Sequence, residues 1–295
     1  MIEYYTSRGT PFQVVNSVLW AEANRIIEPW EPAEADTRIS AGDAALLIRR
    51  FPRGLLVRCT DGFHPGNAHS DWYEVICRRF VELSEYPSKK RSQIKRGLKN
   101  CWVKRVGAET IAAAGYEVHM AAYRRYRNAE VPSLGENAFK NNVLATKDFA
   151  DLIEYWACYA KDRLVAYATV WLYDRIEANY TAVRLHPDHL ECHPAYALFH
   201  CMNEHYLREQ NFQYVNDGER SVLHESGVQQ FPISKLGFEY GYTNLHVHYR
   251  PSLAFFFRLP SVVRRLAAKW SPRVAAVCEL DRLAVRPKPL VPGQS

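Results

Sequence analysis

The fold of this chain is decided by residues 163–183, RLVAYATVWLYDRIEANYTAV, and by the segment that follows them to Phe238. β-Branched and aromatic residues dominate both halves of the stretch, and this composition predicts two strands, 163–172 and 176–183. An amphipathic helix is predicted over 194–209, and a short strand over 212–215. The order strand, strand, helix, strand predicts an α/β fold.

The composition describes a folded chain with a moderately basic surface. The 295 residues are 47% hydrophobic and carry a formal net charge of +6, which favours a packed core and anionic partners without selecting one. Seven cysteines are scattered without a CxxC pair, so reduced thiols are expected. The N-terminus shows no signal-peptide pattern, and no apolar run approaches the roughly 20 residues that span a bilayer. A cytoplasmic protein is therefore expected.

The first third of the chain is predicted to be rich in strands. Residues 12–20 form an apolar run, 44–49 and 54–58 are predicted to pair as strands, and 71–80 mix aromatic and β-branched residues. Asp61 and Gly62 have the composition of a turn.

A strongly basic helix is predicted over residues 89–100. No acidic residue occurs between Glu85 and Glu109, and Arg91, Lys95 and Lys99 follow one another at helical i+4 spacing, so they repel unless an anion compensates them. Three candidates for such an anion are a coenzyme A phosphate, an RNA backbone and a lipid pyrophosphate. The alternative is a solvated outer face with no ligand.

The loop over residues 184–193 precedes the predicted 194–209 helix. A helix N-terminus attracts phosphate, but this loop, RLHPDHLECH, contains no glycine to let the backbone approach one closely. Its histidines match no zinc motif, and loop histidines are more often hydrogen-bonding residues, so no metal site is predicted.

Three residues in the last part of the stretch are candidates for chemistry. Asp217 and Glu219 lie where the predicted 212–215 strand ends, and either carboxylate is suited to accept a proton from an attacking amine. The alternative is an Asp-Gly turn without function. Lys235 is suited to hold a phosphate or steady a developing negative charge, or is an ordinary surface lysine. His224 and Glu225 are further candidates for a base.

Aromatic and basic residues alternate near the C-terminus. Phe255 to Phe257 are followed by Arg258, Arg264, Arg265 and Trp270. This pattern suits a membrane interface, while core packing of the aromatic rings is the preferred alternative.

Four short motifs in this order resemble the GNAT superfamily of acyltransferases, and within it the branch of the Fem peptidoglycan-bridge transferases and the GNAT-like proteins of polysaccharide operons. They are RLVAYA at 163–168, HPAYALF at 193–199, NDGE at 216–219 and SKLGF at 234–238. The basic helix over 88–99 is similar to one these proteins carry upstream. The resemblance covers roughly residues 84–245.

The resemblance implies an α/β fold with a mixed central sheet flanked by helices. It also implies two tandem GNAT-like lobes, over 1–145 and 146–250, with a basic and aromatic tail over 251–295. It implies direct transfer of an acyl or aminoacyl group to an amine on a small molecule, a glycan or a lipid-linked acceptor. Acyl-coenzyme A is the expected co-substrate, with no bound cofactor, and aminoacyl-tRNA is the alternative donor. Asp217, Glu219 and Lys235 become the expected catalytic residues, and the expected donor-binding residues are Lys95, Arg96, Lys99, Arg184 and Tyr196.

Two alternatives of another kind remain open at this point. One is a non-catalytic binding module in which the basic helix docks on nucleic acid or acidic lipid. The other is a degenerate transferase that serves as a scaffold in polysaccharide synthesis, which the missing glycine loop keeps open. Peripheral contact with the inner membrane surface through the tail is compatible with each of these functions.

Overall fold

The computed structural model describes residues 1–66, 68–124, 134–222 and 227–285. The predicted base candidates His224 and Glu225 lie outside these residues. The strands are β1 (Phe12–Val15), β2 (Val18–Ala23), β3 (Ile26–Pro29), β4 (Leu56–Pro65), β5 (Trp72–Cys77), β6 (Trp102–Val106), β7 (Ile153–Ala160), β8 (Arg163–Tyr173), β9 (Glu177–Leu185), β10 (Tyr214–Glu219) and β11 (Glu239–Tyr249). The helices are α1 (Ile2–Ser7), α2 (Ala41–Arg50), α3 (Ser88–Asn100), α4 (Ala108–Tyr123), α5 (Glu136–Leu144), α6 (Pro194–Asn203), α7 (Gly227–Leu236), α8 (Pro251–Phe257), α9 (Ser261–Trp270) and α10 (Pro272–Leu283).

The chain divides into two compact units. The first contains residues 1–9, 75–218 and 227–239, and the second contains residues 10–74, 219–226 and 240–295. Three of the boundaries fall inside β5, β10 and β11, and each unit is assembled from separate pieces of the chain. This division differs from the sequence-based lobes 1–145 and 146–250, because the N-terminal strands and the C-terminal helices belong to the same unit.

The first unit is built on a mixed sheet in the order β10-β9-β8-β7-β6. β9 and β10 are parallel, and the other neighbours are antiparallel. α4 packs on this sheet through Ile111 and Val118, which join Tyr155 and Tyr167 of β7 and β8 in one apolar core. The predicted mixed sheet flanked by helices is confirmed.

The second unit contains neighbouring strands in the order β1-β2-β3-β4-β11, of which β3 and β4 pair in parallel and the other neighbours are antiparallel. α2 covers these strands through Leu47 and Ile48, which pack with Trp20 and Ile27. α10 contributes Leu280 to a second cluster of this unit. No helix in the described ranges combines the length and the apolar character needed to cross a bilayer.

The prediction of a strand over 44–49 is wrong, because these residues lie in α2. The Ser40 side chain caps this helix by accepting a hydrogen bond from the Asp43 backbone N–H at 3.1 Å. Ala44, Leu47 and Ile48 are then buried at i, i+3 and i+4, which is helical rather than alternating burial. The apolar run is too short to reveal the helical period in the sequence. The Ser40 cap favours the helix.

Three further predictions are corrected in detail. Asp61 and Gly62 lie inside β4 rather than in a turn, opposite an irregularity in the pairing of β4 with β11. The strand predicted over 71–80 is confined to β5, Trp72–Cys77. The predicted helix over 194–209 is α6 continued by a π-helical turn over Glu204–Glu209.

Candidate active site

The first unit contains a parallel strand pair that separates part-way along its length. β9 and β10 pair at only three positions, the last being Asn179 with Asn216. On its other side β9 pairs with β8, where Thr169 and Trp171 face Ala182 and Asn179, so β9 holds one extra residue there. This β-bulge bends β9 at the point where its pairing with β10 ends. Beyond Asn179, β9 has no backbone ladder pair with β10.

A buried carboxylate holds the two strands together just before they separate. Glu177, at the first position of β9, is 1% exposed. Its Oε1 accepts hydrogen bonds from the side chains of Asn179 at 2.7 Å and Asn216 at 2.9 Å, and its Oε2 accepts from the Tyr214 hydroxyl at 2.9 Å. Three donors on two strands therefore fix where the pairing stops, and sequence reasoning missed this residue.

Asp217 is the first residue of β10 beyond the paired segment. The prediction placed it after a strand, whereas it lies within β10, and alternation puts it on the sheet face opposite Asn216. None of the described residues forms a hydrogen bond or an ion pair with its carboxyl. Burial raises its pKa from 3.8 to about 8, because a carboxylate without partners is poorly solvated there. Gly218, with a φ of 95°, then turns the chain, and its N–H donates to Asn216 Oδ1 at 2.8 Å.

Glu219 has a different environment from Asp217. It belongs to the second unit, where it forms an ion pair with Arg58 at 2.7 Å, and Arg58 also binds Glu28 at 2.7 Å. Burial raises the pKa of Glu219, and the Arg58 charge opposes that rise. The structure thus separates two carboxyls that the sequence left equivalent, and only Asp217 lacks a cationic partner.

Aromatic side chains pack around Tyr180, close to Asp217. Tyr180 follows the paired segment of β9, and its hydroxyl donates to Asn203 of α6 at 2.9 Å. Burial raises the pKa of Tyr180 well above its usual range, and nearby negative groups, Asp217 among them, add to the rise. Phe199 of α6 contacts both Tyr180 and Phe231, with ring centroids 5.8 and 6.0 Å apart. This aromatic wall is suited to exclude water from an acyl group.

The basic helix α3 packs against the first turn of α6. A Cβ atom on Gly97 would lie 2.7 Å from the His193 carbonyl oxygen and 3.1 Å from the Ala197 nitrogen, so only glycine permits this approach. The buried Tyr196 hydroxyl donates to Gln93 Oε1 at 2.9 Å and joins the same two helices. Tyr196, predicted to bind the donor, therefore uses its hydroxyl to position α3.

Gly97→Ala should lower the free energy of unfolding by about 2 kcal/mol, because the new methyl group collides with backbone that cannot rotate away. The higher helix propensity of alanine, about 1 kcal/mol, opposes this loss without cancelling it. Chemical denaturation measures the difference. Gly42→Ala is the matched control, since its Cβ meets only Ser40 Oγ at 3.5 Å, and it should be neutral or stabilising. Equal effects of the two variants would contradict the close packing of α3 on α6.

The predicted donor-binding cations lie in two environments. Lys95, Arg96 and Lys99 are exposed on α3, and within the described part of the chain no ion pair involves them. Arg96 is close enough to His193 to reinforce the lowering of its pKa, which burial causes first. Arg184 instead lies 5.2 Å from the Tyr123 ring centroid and donates to that hydroxyl at 3.2 Å. Its side chain is thus engaged by α4.

Lys235 lies in the last turn of α7. It is half-buried, and among the described residues no hydrogen bond or ion pair joins it to Asp217. Gly237, with a φ of 80°, follows the helix end. The role of Lys235 stays a prediction.

A 3₁₀-helix over Pro187–Cys192 occupies the loop before α6. His186 caps it, accepting a hydrogen bond from the Asp188 N–H at 3.3 Å, and is buried. The segment therefore has a regular hydrogen-bonded structure in which this histidine acts as a hydrogen-bonding residue. It leaves no glycine-lined backbone loop in front of α6.

Comparisons with solved structures identify the fold. FemX aligns over 86% of this chain and 92% of its own, with a TM-score of 0.55 and 9% identity. The C-terminal domain of a proposed lysylphosphatidylglycerol synthetase from Agrobacterium fabrum aligns over 88% and 90%, with a TM-score of 0.50 and 13% identity. The chain has a GNAT fold. The resemblance drawn from the four motifs is confirmed at this level, including its Fem-like neighbours.

The likeness to GNAT-fold proteins is one of structure and not of sequence. No family model matches the chain, and a comparison with curated proteins finds no match. A tandem GNAT protein from the clavulanic acid biosynthesis pathway also aligns, over 79% of this chain and 78% of its own, with a TM-score of 0.42 and 11% identity.

Proposed function

We propose that this GNAT-fold protein transfers an acyl or aminoacyl group from an activated donor to an amine, with Asp217 as the general base. The observation that carries the proposal is the Asp217 carboxyl, with a pKa of about 8 and no hydrogen-bond or ion-pair partner among the described residues, placed where the pairing of β9 with β10 ends. A base whose pKa lies near the working pH is suited to take a proton from an ammonium group. The GNAT fold supports acyl transfer as the reaction class.

The reaction proceeds by direct attack. The amine nitrogen forms a bond to the donor carbonyl carbon, and the bond from that carbon to the sulfur or oxygen of the leaving group breaks. Asp217 takes the proton that the neutral amine loses and then passes it to the departing sulfur or oxygen, so the carboxylate is regenerated. Backbone N–H groups of β9 beyond Asn179, which have no β10 partner, are suited to stabilise the oxyanion. No nucleophilic side chain is needed for this mechanism.

A specific observation favours an RNA-linked aminoacyl donor over acyl-coenzyme A. The segment before α6 is a 3₁₀-helix without glycine, and α3 packs directly on the first turn of α6. A pyrophosphate therefore has no glycine-lined backbone loop to approach at that helix end. The exposed Lys95, Arg96 and Lys99 provide instead a cationic face of the kind that binds a nucleic-acid backbone.

The function is tested by measuring transfer of labelled acyl groups from acetyl-coenzyme A, from longer acyl-coenzyme A species and from aminoacyl-tRNA to a panel of amines. We expect transfer from the aminoacyl-tRNA donor. Transfer from coenzyme A thioesters alone would retain the reaction class and refute the RNA-linked donor. No transfer from any donor, with no ligand-induced thermal shift, would overturn the proposed function.

Charge reversal on α3 should weaken use of an RNA-linked donor. Lys95→Glu with Lys99→Glu is expected to raise its KM at least about tenfold at low salt, and the effect should shrink as salt rises. Lys147→Glu with Lys161→Glu makes the same change in charge at exposed positions of the same unit. Both pairs are compared by steady-state kinetics. An equal loss in the two would show that net charge, and not the α3 face, controls binding.

A further inference from the structure

α9 presents its apolar side to solvent. Val262, Val263, Leu266 and Trp270 fall within an arc of about 100° on the helix, and we call this set the α9 apolar face. Val262 is 63% exposed, Leu266 52% and Trp270 88%. In a water-soluble helix such a stripe normally faces the core, so this orientation is the reverse of the usual one.

The opposite side of α9 is the one that packs on the protein. Ala267, Ala268 and Arg264 are half-buried there, and α9 contacts α10. The Arg264 guanidinium lies 3.9 Å from the Asp281 carboxylate and 5.7 Å from the Phe257 ring centroid. An ion pair and a cation–π contact thus hold the apolar face outward.

Cations surround the α9 apolar face, and acids are absent from this part of the sequence. Arg265 and Lys269 are exposed on one flank of the stripe, while Arg258 and Arg273 are exposed beyond the ends of the helix. No aspartate or glutamate occurs between Glu239 and Glu279. Phe255 of α8, 64% exposed, adds another aromatic ring to the same region of the chain.

We propose that the α9 apolar face docks on the surface of an anionic phospholipid bilayer. A helix with a bulky apolar stripe, a tryptophan and flanking cations lies in the membrane interface, where the stripe enters the acyl boundary and the cations meet lipid phosphates. Nucleic acid would engage the cations and leave the apolar side chains in water. A second copy of this chain would bring like charges together around the stripe. The inference does not depend on the donor or on Asp217.

The test is flotation of the full-length protein with vesicles of phosphatidylcholine alone or mixed with phosphatidylglycerol. We expect binding to the mixed vesicles and at least about tenfold weaker binding to phosphatidylcholine. Leu266→Glu should reduce binding to the mixed vesicles at least about tenfold, because it places a charge in the stripe. Arg265→Glu with Lys269→Glu should do the same, with a loss that is smaller at high salt.

Trp102→Ala is the matched control, since Trp102 is 62% exposed in the other unit, and it should bind like the unchanged protein. Circular dichroism and the melting temperature establish that each variant is folded. Equal binding to both vesicle types, or unchanged binding of folded Leu266→Glu, would overturn the proposal. Sedimentation that shows a dimer broken by Leu266→Glu, without vesicle binding, would overturn it in favour of self-association.

Discussion

Asp217→Asn should reduce kcat/KM for acyl transfer at least about 100-fold while the protein stays folded. The amide keeps the size of the side chain but cannot accept the proton from the attacking amine. The rate of the unchanged enzyme should rise with pH up to about 8, the pKa that burial gives Asp217, because only the ionised carboxylate acts as a base. Transfer assays at a series of pH values should show this rise in rate, which we call the pH limb, and Asp217→Asn should lack it.

The controls separate Asp217 from the other carboxyls. Asp148→Asn, at an exposed position of the same unit, should keep both the rate and the pH limb. Glu219→Gln removes the competing candidate, and it should disturb the Arg58 ion pair more than the chemistry. If Glu219→Gln abolished the pH limb and Asp217→Asn preserved it, the assignment of the base would be wrong.

Asp217→Asn should also make the protein more stable at alkaline pH. The folded state holds a proton on Asp217 between its ordinary pKa of 3.8 and its folded pKa of about 8, so over this range the folded state binds more protons than the unfolded state. Stability contributed by this group is therefore present below about pH 4 and is lost as pH rises to about 8. Asparagine does not titrate, so the difference in melting temperature should grow across this range and then level off.

Glu177→Ala should lower the free energy of unfolding by about 3 kcal/mol or more. It leaves the side chains of Asn179, Tyr214 and Asn216 without their common buried acceptor, and each unsatisfied group costs about 1–3 kcal/mol. Denaturant unfolding followed by circular dichroism measures the loss. The variant should also reduce transfer, because the point at which β9 and β10 separate is no longer fixed.

Glu177→Gln is the informative comparison. Its amide oxygen can accept from both asparagines, and its NH₂ group can donate to the Tyr214 hydroxyl, so it should cost clearly less than alanine. Asp151→Ala, which removes an exposed carboxylate, should be close to neutral. If alanine at Glu177 were as well tolerated as alanine at Asp151, the hydrogen bonds on Glu177 would not be what holds the strands.

Much of the fold could be predicted where the local pattern is long and regular. The predicted 163–172 strand lies within β8, the predicted 176–183 strand begins one residue before β9, and the basic helix is α3, because periodic burial leaves a clear trace in the sequence. α2 was missed because its apolar run is short and the Ser40 cap, which determines it, lies outside the run. The sequence could not predict which residues belong to which unit, because each unit combines segments that are distant along the chain.

The site was only partly predictable, for a related reason. The NDGE motif predicted Asp217 as a site residue. The sequence could not distinguish it from Glu219, because the two differ in the ion pair that Glu219 forms with Arg58 from a distant segment. Glu177 gave no signal, because a carboxylate at the start of a strand resembles a solvated one until its partners on β10 are known. Tyr196 was correctly placed on a helix, yet its partner Gln93 depends on the packing of α3.

α6 contacts both the cationic helix α3, through Gly97, and Tyr180 of β9. Gly97 rests on the backbone of His193 and Ala197, while Asn203, at the other end of α6, holds the Tyr180 hydroxyl. α6 therefore links α3 to β9, because it carries the Gly97 contact at its first turn and the Tyr180 hydrogen bond at Asn203.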